Sequence, residues 1–303
     1  MRAEQLSAEF GIAGVVEFAD TRNGLTKAVI SPRAGTGEIY LQGAHLTQFG
    51  LTGQQPLLFV SPNTSYAPRK AIRGGVPVIF PWFGANSQVA NAPQHGFARI
   101  APWQLEGVEV DGVNAVTLIF SLTEEDVVST LWPHSFRASY KMTFSGVLSL
   151  SLTVENRSPH PITYEESLHT YFAVSDIARV AVSGLQGATY IDKTDNAARK
   201  LQTDAAVTIA AETDRVYLDT PRQCTIEDAG WGRRILVEKD GAASTVVWNP
   251  WAAKAAAMAD LGDAWRNMVC VETGNIADNA VHLAPGDEHE MSATISLHAG
   301  PGV

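Results

Sequence analysis

The sequence predicts an all-β protein, built as one large antiparallel sandwich of sheet on sheet. Three observations carry that prediction. Period-two alternation of apolar and polar residues dominates the chain. Clusters of Gly, Pro, Asn and Asp punctuate the apolar runs. Helical periodicity is scarce, which argues against a doubly wound sheet.

The first strands are expected at LTKAVIS (25–31), EIYLQG (38–43), PLLFV (56–60), VPVIF (76–80) and AVTLIFSL (115–122). EEDVVSTLWP reads as a turn or two of helix before Pro133. The clearest pattern follows. Phe136, Ala138, Tyr140, Met142 and Phe144 alternate with polar residues, and after Ser145-Gly146 so do Leu148, Leu150, Leu152 and Val154. That is a hairpin of two strands, each with one buried face. Beyond it, ITYEESLHTYFAV (162–174), VTIAA (207–211), RRILVE (233–238), STVVW (244–248), MVCVE (268–272) and MSATISLH (291–298) read as strands. AAKAAAMADL (252–261) is a short Ala-rich helix candidate. No repeat, low-complexity tract or linker divides the 303 residues, so a single domain over 1–303 is expected.

Composition narrows the partners. The net charge is −10, which disfavours nucleic acid and anionic membranes. A local arginine pair can still bind a small anion. The first twenty residues carry early acids and do not read as a signal peptide. No apolar run approaches the ~18 residues a spanning helix needs. The two cysteines form no C-x-x-C pair, so neither a disulfide framework nor a structural zinc is expected. A reducing cytoplasm and a monomer fit best. There is no P-loop, no G-x-S-x-G elbow, no H-E-x-x-H and no Rossmann glycine pattern. Hence no metal and no cofactor is expected.

Five segments carry candidate chemistry. In AIRGGVPVIFPWFG, Arg73 precedes two glycines that let a backbone or ligand come close, and its fork could reach an anion. A turn with a solvated arginine is the plain alternative. In QHGFAR, Gln94 offers an amide, His95 an imidazole and Arg99 a second fork. Two arginines suit a phosphate dianion; a histidine bonded within its own loop explains His95 equally well. In ESLHTYF, His169 shares a strand face with Ser167 and Tyr171. Its imidazole can pass a proton near neutral pH, or simply be a bonded core histidine. In ETDRVY, Asp214 either fixes sugar hydroxyls or pairs with Arg215 at the surface, for under ~1 kcal/mol. In MVCVETGN, Glu272 ends an otherwise interior strand, where a carboxylate is costly unless paired or functional. Trp82, Trp248 and Trp251 could stack on a sugar, but core or rim positions suit them better.

Taken in order, RGGVPVIFPWFG, QHGFAR, LHTYF, ETDRVY, WNPWAAKAAAMADLGDAW and VCVETGN resemble the aldose 1-epimerase superfamily, and within it the hexose-6-phosphate mutarotase branch. The resemblance runs from about Arg73 to Asn275. It implies a galactose-mutarotase-like β-sandwich and a cofactor-free interconversion of α and β sugar anomers. It implies His169 as general acid and Glu272 as general base. It implies substrate-binding roles for Arg73, Gln94, Arg99 and Asp214, with His95 beside the anomeric centre. Thr273-Gly274-Asn275 departs from what other branches carry after the base.

Two other readings stay open on the residues alone. A glycoside hydrolase would use Asp214 and Glu272 as its two carboxylates. A non-catalytic sugar-binding or regulatory module could use the same sandwich.

Overall fold

The computed structural model describes residues 2–31, 35–86, 88–111 and 115–300. Its strands form sheets of nine, eight, four and two members, and every pairing between strands is antiparallel. Only two short α-helices, Ala3–Phe10 and Trp251–Ala256, occur among the described residues. The all-β sandwich is therefore the observed architecture.

The expected hairpin forms the middle of the nine-stranded sheet. Phe136–Phe144 pairs with Leu148–Asn156 in a register that runs from Phe136 opposite Asn156 to Phe144 opposite Leu148. Every second residue on both strands is buried. Their apolar faces join one extended core that also takes in Phe80, Tyr164, Phe172, Val216 and Val271. Burying this face excludes a one-residue slip, which would turn every apolar side chain to water.

The eight-stranded sheet positions the polar residues. Its order runs Ala198–Leu201, Thr189–Asp192, Thr213–Tyr217, Ser244–Asn249, Met268–Asn275, Glu166–Leu168 and Val78–Ile79, with Tyr171–Ala173 also on Met268–Asn275. Register then decides which side chains meet. Asp214 lies opposite Trp248, Trp248 opposite Cys270, and Val246 opposite Glu272. Paired residues and their i+2 neighbours share a face. Asp214, Trp248 and Glu272 therefore line one side of the sheet.

Several expected boundaries differ. The run 162–174 is three strands, not one, broken at Glu165 and again at His169-Thr170. At the second break the His169 N–H donates to the Pro77 carbonyl, and that of Thr170 to Leu168. PLLFV is no strand: only Leu58 and Val60 form isolated bridges. VPVIF forms a strand only at Val78–Ile79, with isolated bridges at Val76 and Phe80. The 252–261 helix starts at Trp251 and stops at Ala256. Apolar runs of this length are buried here by packing, whether or not a ladder forms, and periodicity does not separate the two cases.

Candidate active site

A polar cavity of about 410 Å³ opens on the eight-stranded sheet. Arg73, Gln94, His95, Arg99, His169, Asp214 and Glu272 all line it. Seven residues spread over two hundred positions of sequence thus share one site.

Two glycine positions explain how the loops reach it. A Cβ on Gly75, at φ +64, would lie 2.1 Å from the Leu46 carbonyl oxygen. A Cβ on Gly96, at φ +74, would lie 1.9 Å from the Phe80 carbonyl oxygen. Both glycines let their loops pack on neighbouring backbone rather than make room for a ligand. The loops carrying Arg73 and Arg99 are thereby pressed to the rim.

His169 and Glu272 sit on the floor. His169 Nε2 is 3.3 Å from Glu272 Oε1, and both side chains are almost wholly buried. The Ser167 hydroxyl donates to Glu272 Oε2 at 3.1 Å. The His169 ring stacks on Tyr171 at 4.8 Å. The shared face of Ser167, His169 and Tyr171 thus survives the break in the strand. Burial moves the two groups in opposite directions. Desolvation pushes the Glu272 carboxyl well above its ordinary value, against the Ser167 hydrogen bond. Desolvation, then His95, Arg99 and Arg73, pushes His169 well below its own. The near-neutral titration expected of His169 is therefore corrected. A raised carboxyl and a lowered imidazole favour a protonated Glu272 beside a neutral His169, and two groups this close titrate as a unit.

His95 has a positive φ of 63. Its ring meets Phe83 edge-on at 4.8 Å and faces His169 at 5.6 Å. Burial, then the charges of Arg99, Lys193 and Arg73, lowers it to about 3, so it stays neutral. The Gly84 N–H donates to its Nδ1 at 3.2 Å.

The two arginines differ. Arg73 donates through Nε to Asp260 at 3.0 Å and through Nη1 to the Tyr171 hydroxyl at 3.1 Å. No acid lies near it in sequence; the fold supplies one 187 residues away. Arg99 donates to the Gln94 carbonyl at 2.7 Å and pairs with no carboxylate among the described residues. Burial lowers it to about 10, with repulsion from Arg73 adding to this against the opposing pull of Tyr171.

Asp214 does not pair with Arg215, whose guanidinium covers Tyr190 at 4.8 Å. Neighbours on a strand point to opposite faces. Asp214 turns into the cavity, 3.9 Å from Lys254. Burial raises its carboxyl against Lys193 and Lys254. Sequence reasoning missed both lysines. Lys193 lies in a turn and places Nζ 4.6 Å over the Phe83 ring; Lys254 sits on the short helix and also holds Glu212 at 2.7 Å. Neither has a local signal. Of the tryptophans, Trp248 lines the cavity, whereas Trp82 donates to Pro93 in the core and Trp251 packs on Trp265. The core-or-rim reading holds for all three, with Trp82 and Trp248 in the core and Trp251 packed against it, and Trp248 also forms part of the cavity wall.

His169, Cys270 and Glu272 also offer ligand atoms within 4.8 Å of one another. Burial pushes the Cys270 thiol well up, which keeps it protonated and a poor metal donor.

The fold is that of the mutarotases, and the family it matches makes the protein an isomerase of that type. The chain belongs to the aldose 1-epimerase family, whose sequence model matches residues 28–296. A protein of Cenchrus ciliaris named "Putative glucose-6-phosphate 1-epimerase" is 38% identical over 297 residues, 94% of this chain and 88% of that protein. One of the same name in Escherichia coli K12 is 40% identical over 235 residues, 77% of each chain. The solved structure of a "putative mutarotase" from Salmonella typhimurium has a TM-score of 0.89 at 32% identity, over 98% of this chain and 99% of that one.

Proposed function

We propose that this aldose epimerase interconverts the α and β anomers of D-hexose 6-phosphates. Arg99 carries the proposal: a half-buried guanidinium with no acidic partner among the described residues, beside an acid–base pair. A phosphate dianion supplies the missing counter-charge, and Arg73 adds a second fork from the same rim. The names of the relatives agree with a sugar 6-phosphate.

Glu272 takes the proton of the anomeric hydroxyl. His169 gives a proton to the ring oxygen. The C1–O5 bond breaks, C1=O1 forms, and the aldehyde turns about C1–C2 before closing on its other face. The two oxygens share C1, so an acid and a base 3.3 Å apart can serve both. The reacting form is the Glu272 carboxylate beside a protonated His169, the costlier placement of the pair's one proton; ring opening leaves Glu272 protonated and His169 neutral, the placement burial favours. Closure returns both protons, so the pair ends as it began. Acid–base assistance of this kind contributes about 10²–10⁴ in rate. Gln94 and His95 hold the reacting end, Asp214 binds hydroxyls, and Trp248 offers a ring face.

The test is NMR exchange between the anomers of glucose 6-phosphate, with and without protein. Exchange should rise without added metal or nucleotide and survive a chelator. Cross-peaks no stronger than in buffer sink the reading. Loss of activity on chelation would instead point to the His169, Cys270 and Glu272 cluster as a metal site.

A further inference from the structure

Glu165 takes no part in the proton transfers, yet it ties together the wall beside them. Its Oε2 accepts the Phe83 N–H at 2.8 Å, and its Oε1 accepts the Ala277 N–H at 2.8 Å. Its own N–H donates to the Pro81 carbonyl at 3.0 Å. One residue therefore clips the Pro81–Phe83 backbone both to its own strand edge and to the turn that follows Asn275.

The next residue, Gly84, is bonded twice to His95. Its N–H donates to His95 Nδ1 at 3.2 Å, and its carbonyl accepts the His95 N–H at 2.7 Å. A ring nitrogen that accepts carries no proton, so a neutral His95 must carry its proton on Nε2. No described protein group hydrogen-bonds that Nε2, and the residue lines the cavity. His95 also rests at φ 63, a region L side chains enter only when their surroundings hold them there.

We propose that Glu165 is a positioning residue: by fixing Phe83 and Gly84 it locks His95 as the Nε2–H tautomer, a donor toward the sugar. The function of that donor rests on the aldose reading above. An N–H stabilises an oxygen that gains negative charge as the ring opens; the other tautomer would offer it a lone pair. A neutral donor suits this task because it brings no second proton to the one-proton Glu272–His169 pair. The clip is a carboxylate because two backbone donors converge on it. Glutamine has one acceptor oxygen and would set its amide N–H₂ against one of them.

The experiment measures the His95 tautomer by ¹⁵N NMR of histidine-labelled full-length protein near neutral pH, together with kcat and KM for glucose 6-phosphate. Wild type should show Nδ1 bare and Nε2 protonated. Glu165→Ala should shift His95 toward a tautomer mixture and lower kcat about tenfold, with KM moved less than about twofold. Glu165→Gln, which keeps shape and one acceptor, should fall between, and it carries the test should the alanine variant not fold. Wild-type tautomer in a folded variant overturns the proposal, whatever happens to kcat, because a merely structural role leaves the ring protons unmoved. Should wild type catalyse nothing, the aldose reading fails on its own, and the tautomer measurement still decides the role of Glu165.

Discussion

Removing the Arg99 guanidinium should cost far more for a phosphorylated sugar than for a plain one. The structure sets the size of the effect. Of five guanidinium N–H groups, Arg99 commits one, to the Gln94 carbonyl. Arg73 commits two, to Asp260 and Tyr171, and Asp260 offsets much of its charge. Arg99 is thus free to grip phosphate with two bonds, Arg73 more nearly with one. A hydrogen bond to a charged group is worth about 1.5–3 kcal/mol. Arg99→Ala should therefore lose about 3 kcal/mol of phosphate binding, about a hundredfold in kcat/KM, and Arg73→Ala about tenfold. Lysine at position 99 should recover part of the loss, since it restores the charge without the fork. The assay is exchange NMR of glucose 6-phosphate and of glucose at one fixed ionic strength, with melting curves as the control for folding. Equal losses for both sugars would refute the reasoning and assign the arginines to the ring or the fold. A larger effect at Arg73 than at Arg99 would refute the argument from unpaired charge.

Three further outcomes are expected. Glu272→Gln and His169→Asn should each lower turnover by about a hundredfold or more with melting unchanged, and near-normal turnover in either would return that residue to a structural role. The pH profile of kcat should be broad. Glu272 is raised and His169 lowered, so the one-proton pair persists from below the usual histidine value to above the usual carboxylate value. Activity should not follow the ordinary histidine titration; a steep loss just above 6.5 would mean that His169 titrates normally. Stability should fall in acid through His45, which is buried with Nε2 donating to the Gly74 carbonyl at 2.7 Å. Its value is lowered from 6.5 to about 4, so the unfolded chain binds the proton first. The stability is whole above 6.5 and drains as pH falls toward 4, by about 3 kcal/mol in all. Urea titrations of wild type and His45→Asn at both ends of that range should differ by this amount, and equal pH dependence would remove His45 from the account.

The sequence by itself determined the sheets and pointed to the candidate acid–base pair. The alternation through 136–154 is a local code, because a strand's two faces differ at every step, and the structure keeps its register. Glu272 stood out for a local reason too: a carboxylate on an apolar strand is expensive unless it has a task, and the fold puts it on the cavity floor. The ordered motifs pointed to the family, and all seven candidate residues they carried line one cavity. Other facts belonged to tertiary structure alone. The acid facing Arg73 is 187 positions away, and the isolation of Arg99 is defined only by what fails to approach it. Lys193 and Lys254 enter from a turn and a short helix whose local sequence says nothing of a sugar. The pKa directions of Glu272 and His169 follow from desolvation, which is a property of the finished interior. Charge pairing and burial act through space at a few ångströms, and chain spacing records neither.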